Sequence, residues 1–112
     1  MRRTLLALAL AAGVALPAAP AAEAGTGVIP TIRQAAARYS VSGSLLVRVA
    51  RCESSFNTRA VGSAGEIGLF QFKPATWQTT PYRRFSIWSP WAQANAAAWS
   101  FAHGRSGQWT CA

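Results

Sequence analysis

Carboxyl side chains are scarce in this 112-residue chain. The chain has no aspartate, and its three glutamates are Glu23, Glu53 and Glu66. Ordinary glycosidases need two carboxyl groups, one to protonate the leaving oxygen and one to act as base or nucleophile. A chain with one well-placed carboxyl suits a reaction in which a substrate hydroxyl attacks, because one glutamate can then act first as general acid and afterwards as general base.

Glu53 is the candidate for that role. It follows Cys52 and stands three residues before Phe56, among residues expected to be buried, and such surroundings raise the pKa of a carboxyl group. The alternative is a capping or salt-bridging glutamate, paired for example with Arg48 or Arg51. The residues alone leave both interpretations open.

Two predicted helices must position Glu53. The apolar spacing of the first predicts a helix from Thr31, with Thr31 as N-cap after Pro30. The second is expected over residues 44–53, which places Glu53 at its C-terminal end. Its predicted apolar side carries Leu45, Leu46, Val49, Ala50 and Cys52.

The remainder is predicted as loops and two further helices. Residues 54–68 are rich in Ser, Gly and Asn and indicate a loop or a short hairpin. Pro74 starts a short helix through about residue 79. Ser89-Pro90 caps a long helix over residues 91–103, which Gly104 ends. The pattern is therefore mainly α-helical.

The N-terminus is predicted to be a signal peptide over residues 1–24, since a cationic start and a short apolar run lead to the sequence AEA at residues 22–24. Cleavage there leaves 88 residues, with a flexible start at 25–30 and one domain at 31–112. The protein is expected to be secreted, without stable membrane insertion. Cys52 and Cys111 are then expected to form a disulfide, because exported proteins keep such bonds; free thiols or a metal pair are the alternatives.

The charge of the chain is strongly positive. Without Arg2, Arg3 and Glu23, nine basic and two acidic residues remain, a net charge of +7. This favours polyanionic partners, and in an exported protein anionic cell-wall polymers are the expected ones. The arginines are scattered, which argues against nucleic acid.

Three ordered motifs resemble the soluble lytic transglycosylase family. Residues 48–57 (RVARCESSFN) are similar to its ESxFNP signature, residues 60–72 (AVGSAGEIGLFQF) to its AxSxxGAxGLMQI stretch, and residues 73–77 (KPATW) to the xPATW that follows. Thr58 stands where the family usually has proline. The cysteine before Glu53 and the final WTC at 109–111 also resemble small actinobacterial relatives of the resuscitation-promoting factors.

The resemblance implies a small lysozyme-like α domain with at most a short β-hairpin. It implies cleavage of the β-1,4 bond between N-acetylmuramic acid and N-acetylglucosamine in peptidoglycan, with a 1,6-anhydro end formed by the sugar's own 6-hydroxyl. Glu53 matches the catalytic glutamate, and Ser54 matches the serine beside it, which is expected to help position that acid or the substrate. Gln71, with Phe70 in the same turn, is expected to contact the glycan.

Two positions separate this chain from fuller members of the family. Many members carry a tyrosine late in the last helix, whereas residues 95–101 (NAAAWSF) contain none. Glu66 occupies a variable position of the family. As a second catalytic carboxyl it would indicate a hydrolase, but a surface glutamate paired with an arginine, contributing about 0–1 kcal/mol, is the favoured interpretation.

The tryptophans divide into structural and glycan-contacting candidates. Indole rings stack on sugars but are first of all large core residues. Trp77, Trp99 and Trp109 are predicted to be structural. Trp88 and Trp91 are the candidates for glycan contact, and His103 is given no catalytic role.

The sequence thus predicts a monomeric, cofactor-free enzyme without a metal site that acts on peptidoglycan strands. Two alternatives stay open. One is a hydrolytic lysozyme that uses Glu53 with Glu66 or a positioned water; the other is a catalytically weak, basic wall-binding module.

Overall fold

The structure, a computed structural model, describes residues 25–112, and the predicted signal peptide at 1–24 lies outside this part. Within it the domain is mainly helical, as predicted, and consistent with a small lysozyme-like fold. The helices are α1 (Ile29–Arg38), α2 (Gly43–Ser54), α3 (Pro74–Trp77) and α4 (Pro90–Ala102). Two 3-10 turns, Gly25–Val28 and Ser106–Gln108, precede α1 and follow α4.

The first helix begins earlier than the sequence predicted. Its N-cap is Val28 and not Thr31, because Pro30 lies in the first turn, where its missing N–H is no loss. The Val28 side chain is fully buried. The end of the segment 25–30 is therefore part of the packed domain and not a flexible start.

The helical core consists of α1, α2 and α4. Helix α1 packs against both of the others. Hydroxyl caps fix the start of α2, where Ser42 Oγ accepts the N–H of Leu45 at 3.1 Å, and of α4, where Ser89 Oγ accepts the N–H of Ala92 at 3.2 Å. Helix α4 is buried over most of its circumference, which its many alanines permit since small side chains let neighbouring helices approach closely.

The second region of the molecule is a layer of loops, formed by residues 55–73 and the tail 104–112. Two isolated antiparallel bridges, Val61 with Ile67 and Ile67 with Phe72, are its only β pairing in the described chain, and no strand forms there. Positive φ angles occur at Ser55 (51°), Phe56 (65°) and Gln71 (54°). Such angles are strained for residues with a side chain and are found most often near functional sites.

No helix of residues 25–112 has the length and apolar character that crossing a lipid bilayer requires.

Candidate active site

A groove of about 390 Å³ opens between the end of α2, the loop layer and the start of α3. It contains both carboxyl side chains of residues 25–112, those of Glu53 and Glu66. The full lining consists of Glu53, Glu66, Gln71, Phe72, Lys73, Thr76, Gln108, Trp109 and Thr110. The groove is therefore the one place in the described domain where acid–base chemistry by carboxyl groups can occur.

Glu53 lies in the last turn of α2, as predicted, and its side chain is half-buried. Burial raises its pKa, and the negative charge of Glu66 raises it further. Among the described residues no arginine forms an ion pair with it, and the Arg51 guanidinium lies instead over the Phe56 ring, 5.4 Å from its centre. The salt-bridged alternative for Glu53 is not what the structure shows.

The tail forms one wall of the groove because two contacts attach it beside Glu53. The predicted disulfide between Cys52 and Cys111 is present, with the Cα atoms 6.0 Å apart. Trp109 donates its indole N–H to the carbonyl of Phe70 at 2.7 Å and stacks on Phe101. Gln108 and Thr110 were not predicted as groove residues. The sequence signal for both is Cys111, whose disulfide partner Cys52 directly precedes Glu53.

Gln71 lines the groove and is anchored by the backbone. Its side-chain amide donates to the carbonyl of Gly68 at 3.1 Å, with a longer contact of 3.4 Å to that of Ala60. Phe72, Lys73 and Thr76 follow it along the same wall and were not predicted as site residues. They belong to the motif stretch that was recognised, but nothing in their types indicated a groove.

Glu66 lines the groove and is accessible to solvent there, as the favoured surface prediction has it, but the arginine partner of that prediction is not found among the described residues. One carboxylate oxygen accepts the backbone N–H of Ala64 at 3.0 Å. Backbone N–H groups of Glu66 itself and of Ala64 lower its pKa, and Lys73 contributes in the same direction. No arginine within the described part of the chain lies within ion-pair distance of it.

Four predicted glycan contacts do not reach this groove. Phe70 is fully buried and Trp91 is 5 % exposed, because both pack in the core. Trp88 lies under the Arg59 guanidinium at 5.2 Å. Ser54 lies on the half-buried last turn of α2 and donates its hydroxyl to the carbonyl of Ala50 at 3.0 Å.

The other tryptophans follow the prediction more closely. Trp77 and Trp109 are buried in the core. Trp99 is half-buried and stacks on His103 with the ring centres 4.4 Å apart. Trp109 also lines the groove, so it belongs both to the core and to the groove wall.

Gln93, which the sequence analysis missed, ties the loop layer to α4. The side chain is fully buried; its oxygen accepts the N–H of Leu69 at 3.0 Å, and its nitrogen donates to the carbonyls of Ile87 at 2.8 Å and Thr58 at 3.3 Å. One amide thus satisfies three backbone groups from two loops. The signal was a glutamine inside an alanine-rich helix that is otherwise buried.

No tyrosine lines the groove. Both tyrosines of the chain lie elsewhere, where the hydroxyls of Tyr39 and Tyr82 are hydrogen-bonded to each other. Burial raises the pKa of Tyr82 above its usual range. At the start of the stretch 95–101, Asn95 accepts a hydrogen bond from Arg38 and donates to the carbonyl of Trp91 at 2.9 Å.

A small helical domain with a carboxyl-lined groove beside a helix end defines a lysozyme-like class of protein. The profile of the transglycosylase SLT domain matches residues 30–106, well over half of the chain. The chain belongs to this family.

Curated relatives agree with that assignment over a shorter stretch. The membrane-bound lytic murein transglycosylase C of Histophilus somni is 46% identical over 48 residues, which are 43% of this chain and 13% of the relative. The Haemophilus influenzae protein of the same name gives the same values, and that of Yersinia pestis is 44% identical over 43 residues, 38% of this chain and 12% of the relative. The matched stretch is thus about an eighth of these relatives' length. No solved structure matches the chain.

Proposed function

We propose that this domain is a peptidoglycan lytic transglycosylase with Glu53 as its catalytic residue. The observation that carries the proposal is the position of Glu53: it matches the family's glutamate, it ends α2 in the groove, and its pKa is raised by burial. A carboxyl that stays protonated toward neutral pH is ready to donate a proton.

The reaction needs one carboxyl group at each step. Glu53 donates its proton to the oxygen that links muramic acid to the next sugar, and the bond from that oxygen to C1 of the muramic acid breaks. The 6-hydroxyl of the same muramic acid then attacks C1, and the Glu53 carboxylate removes its proton. Two products form: one fragment has a free 4-hydroxyl, and the other ends in 1,6-anhydromuramic acid. Glu53 is then protonated again, as it was at the start.

Hydrolysis is the second candidate, because Glu66 shares the groove with Glu53. In a hydrolytic reaction a water would attack C1 and a second carboxyl would activate it. The two candidates differ in their products, since a hydrolytic cut leaves a reducing end and a product heavier by one water.

The cellular setting follows from the same proposal. Cleavage of residues 1–24 as a signal peptide would deliver the domain to the wall, and the Cys52–Cys111 disulfide is of the kind that persists outside the cytoplasm. The described domain carries nine basic residues against two carboxyl groups, which suits an anionic wall.

Glu53→Gln tests the proposal. The amide keeps the shape of the side chain but has no acidic proton. We therefore expect the rate at which soluble fragments are released from intact peptidoglycan to fall about a thousandfold or more. Arg48→Gln, an exposed change on the same helix, is the control and should cleave at the wild-type rate. A Glu53→Gln protein that cleaves as well as Arg48→Gln would refute the assignment.

A further inference from the structure

Glu66 is held in the groove by its own loop. The Gly62 N–H donates to the Glu66 carbonyl at 2.8 Å, and the Gly65 N–H donates to the Gly62 carbonyl at 3.0 Å. These two bonds close a tight turn, and the Ala64 N–H donates to the Glu66 carboxylate from inside it at 3.0 Å. The orientation of the carboxylate is therefore fixed by backbone atoms and not by a flexible partner.

Gly62 makes room for this arrangement. A Cβ at this position would lie 2.4 Å from a Glu66 carboxylate oxygen and 2.5 Å from the Gln71 amide oxygen. Both side chains thus rest on the bare Cα of Gly62, and Gln71 is itself anchored to the Gly68 carbonyl. We call Gly62, Ala64 and Gln71 the Glu66 cradle.

The cradled carboxylate shares the groove with Glu53, and its negative charge acts on the Glu53 carboxyl group. The other charged side chain of the groove lining is that of Lys73. Arg51, on the same helix as Glu53, is turned against an aromatic ring, and the tail residues 108–110 that line the groove are uncharged. The backbone donors of the loop favour the ionised form of Glu66, whereas the surroundings of Glu53 favour its neutral form. The two carboxyl groups can therefore take different roles, with Glu53 as the acid and Glu66 as the anion.

We propose that Glu66 is a positioning residue for Glu53: its cradled carboxylate, fixed in the same groove, helps to keep the proton on Glu53. This inference rests on the proposed function of Glu53. It differs from both interpretations of the sequence, since Glu66 is neither a surface bystander nor a second nucleophile or base. The charge of Glu66 extends toward neutral pH the range in which Glu53 is protonated and can act as general acid.

The test is the pH dependence of cleavage rates on soluble glycan strands, measured from about pH 4 to about pH 8. The free-enzyme pKa of a general acid sets the alkaline limb of the profile. Glu66→Gln removes the charge and keeps the shape, so we expect that limb to move to lower pH. The ratio of the rate at about pH 7 to that at about pH 5 should fall about threefold, with the rate at the lower pH within about twofold of wild type.

Two glycine variants separate charge from shape. Gly62→Ala keeps the Glu66 charge but displaces it from the cradle, so its profile should move in the same direction as that of Glu66→Gln. Gly43→Ala is the matched control at the start of α2, where the added Cβ meets nothing closer than 3.6 Å, and its profile should be that of wild type. Circular dichroism and Tm establish that each variant is folded.

Two results would overturn the inference. A folded Glu66→Gln protein with the wild-type limb would make Glu66 a bystander, and one inactive at every pH would make it a participant in the chemistry. Glu53→Gln measured in parallel tests the proposed function separately. If Glu53→Gln cleaves normally, the proposed function fails whatever the Glu66 profiles show; if it is inactive and the limb does not move, only the inference on Glu66 fails.

Discussion

The helical core and the loop layer of this domain are stabilised by different means. In the core, α1, α2 and α4 meet through apolar side chains such as Leu46 and Val49, both fully buried. The loop layer also buries apolar side chains such as Phe70 and Phe72 in this core, but its irregular backbone is fixed in addition by individual links: the Gln93 amide, the Trp109 indole and the disulfide. Apolar packing tolerates small shifts, whereas a hydrogen bond or a covalent bond fixes one geometry.

The comparison explains where the groove is built. Glu53 comes from the core, at the end of α2, while Glu66, Gln71 and the tail come from the loop layer. The core thus positions Glu53 on a helix. The loop layer supplies groove wall and the negative charge of Glu66. Changes in the two regions should therefore affect stability and cleavage to different extents.

Removal of the disulfide should have the largest effect on stability. The bond closes a loop with a sequence separation of 59 residues, and the chain-entropy model gives about 4 kcal/mol for a loop of that length. The Cys52→Ser/Cys111→Ser double variant should lose that amount of unfolding free energy in urea titrations. It should also cleave more slowly, because the tail no longer forms a fixed groove wall.

Amide hydrogen exchange locates the effect. In the double variant, protection at residues 108–111 should fall more than protection in α4, since the bond restrains the tail directly. Wild-type protein kept in reductant is the control and should behave like the variant. Equal stability of oxidised wild type and double variant would show that the tail is held by Trp109 alone.

The next largest effect is expected for Gln93→Leu. The change leaves the Leu69 N–H and the Ile87 and Thr58 carbonyls without a buried partner, at a cost of about 3 kcal/mol in unfolding free energy. Leu46→Ala in the core should cost about the same by cavity formation and lost burial.

Cleavage rates separate these two equally destabilised variants. At a temperature where both are folded, Gln93→Leu should cleave about tenfold more slowly because the loop layer shifts, while Leu46→Ala should stay near wild type. Equal losses of cleavage in both would mean that the groove depends on overall stability and not on the polar links.

The smallest effect is on the stability of Glu53→Gln, and its size depends on pH. Because the folded-state pKa of Glu53 is raised above its unfolded value, its contribution to stability is complete below the unfolded pKa and is lost as pH rises through the folded one. Glu53→Gln should therefore raise Tm by about 1–2 °C at pH 7 and leave it unchanged near pH 3. If the wild type had the higher Tm at pH 7, burial would not disfavour the ionised form of Glu53, and this prediction would be wrong.

The helices were predictable because their signals are local and periodic. The place of Glu53 in the last turn of α2, the Ser89 cap and the start of α4 within one residue all follow from residue types and spacing. The groove was predictable only at Glu53 and Gln71, through the family motifs. Gln108 and Thr110 line the groove because the Cys52–Cys111 disulfide holds the tail beside Glu53. Glu66 lines it because a turn that needs Gly62 places it there. Neither the disulfide nor the turn has a periodic sequence pattern.

The same reason accounts for the two predicted glycan contacts that are buried in the core. Trp91 and Phe70 are large aromatic residues, and residue type does not tell whether an aromatic ring faces a groove or the core. Both side chains are part of the buried core and do not line the groove.

The most direct test of the account is mass spectrometry of the fragments that residues 25–112 release from intact peptidoglycan, with Glu53→Gln in parallel. The account predicts fragments with 1,6-anhydromuramic ends from the wild type, each lighter by one water than a hydrolytic product, and none from Glu53→Gln. Reducing ends from the wild type, or anhydro ends from the variant, would contradict it.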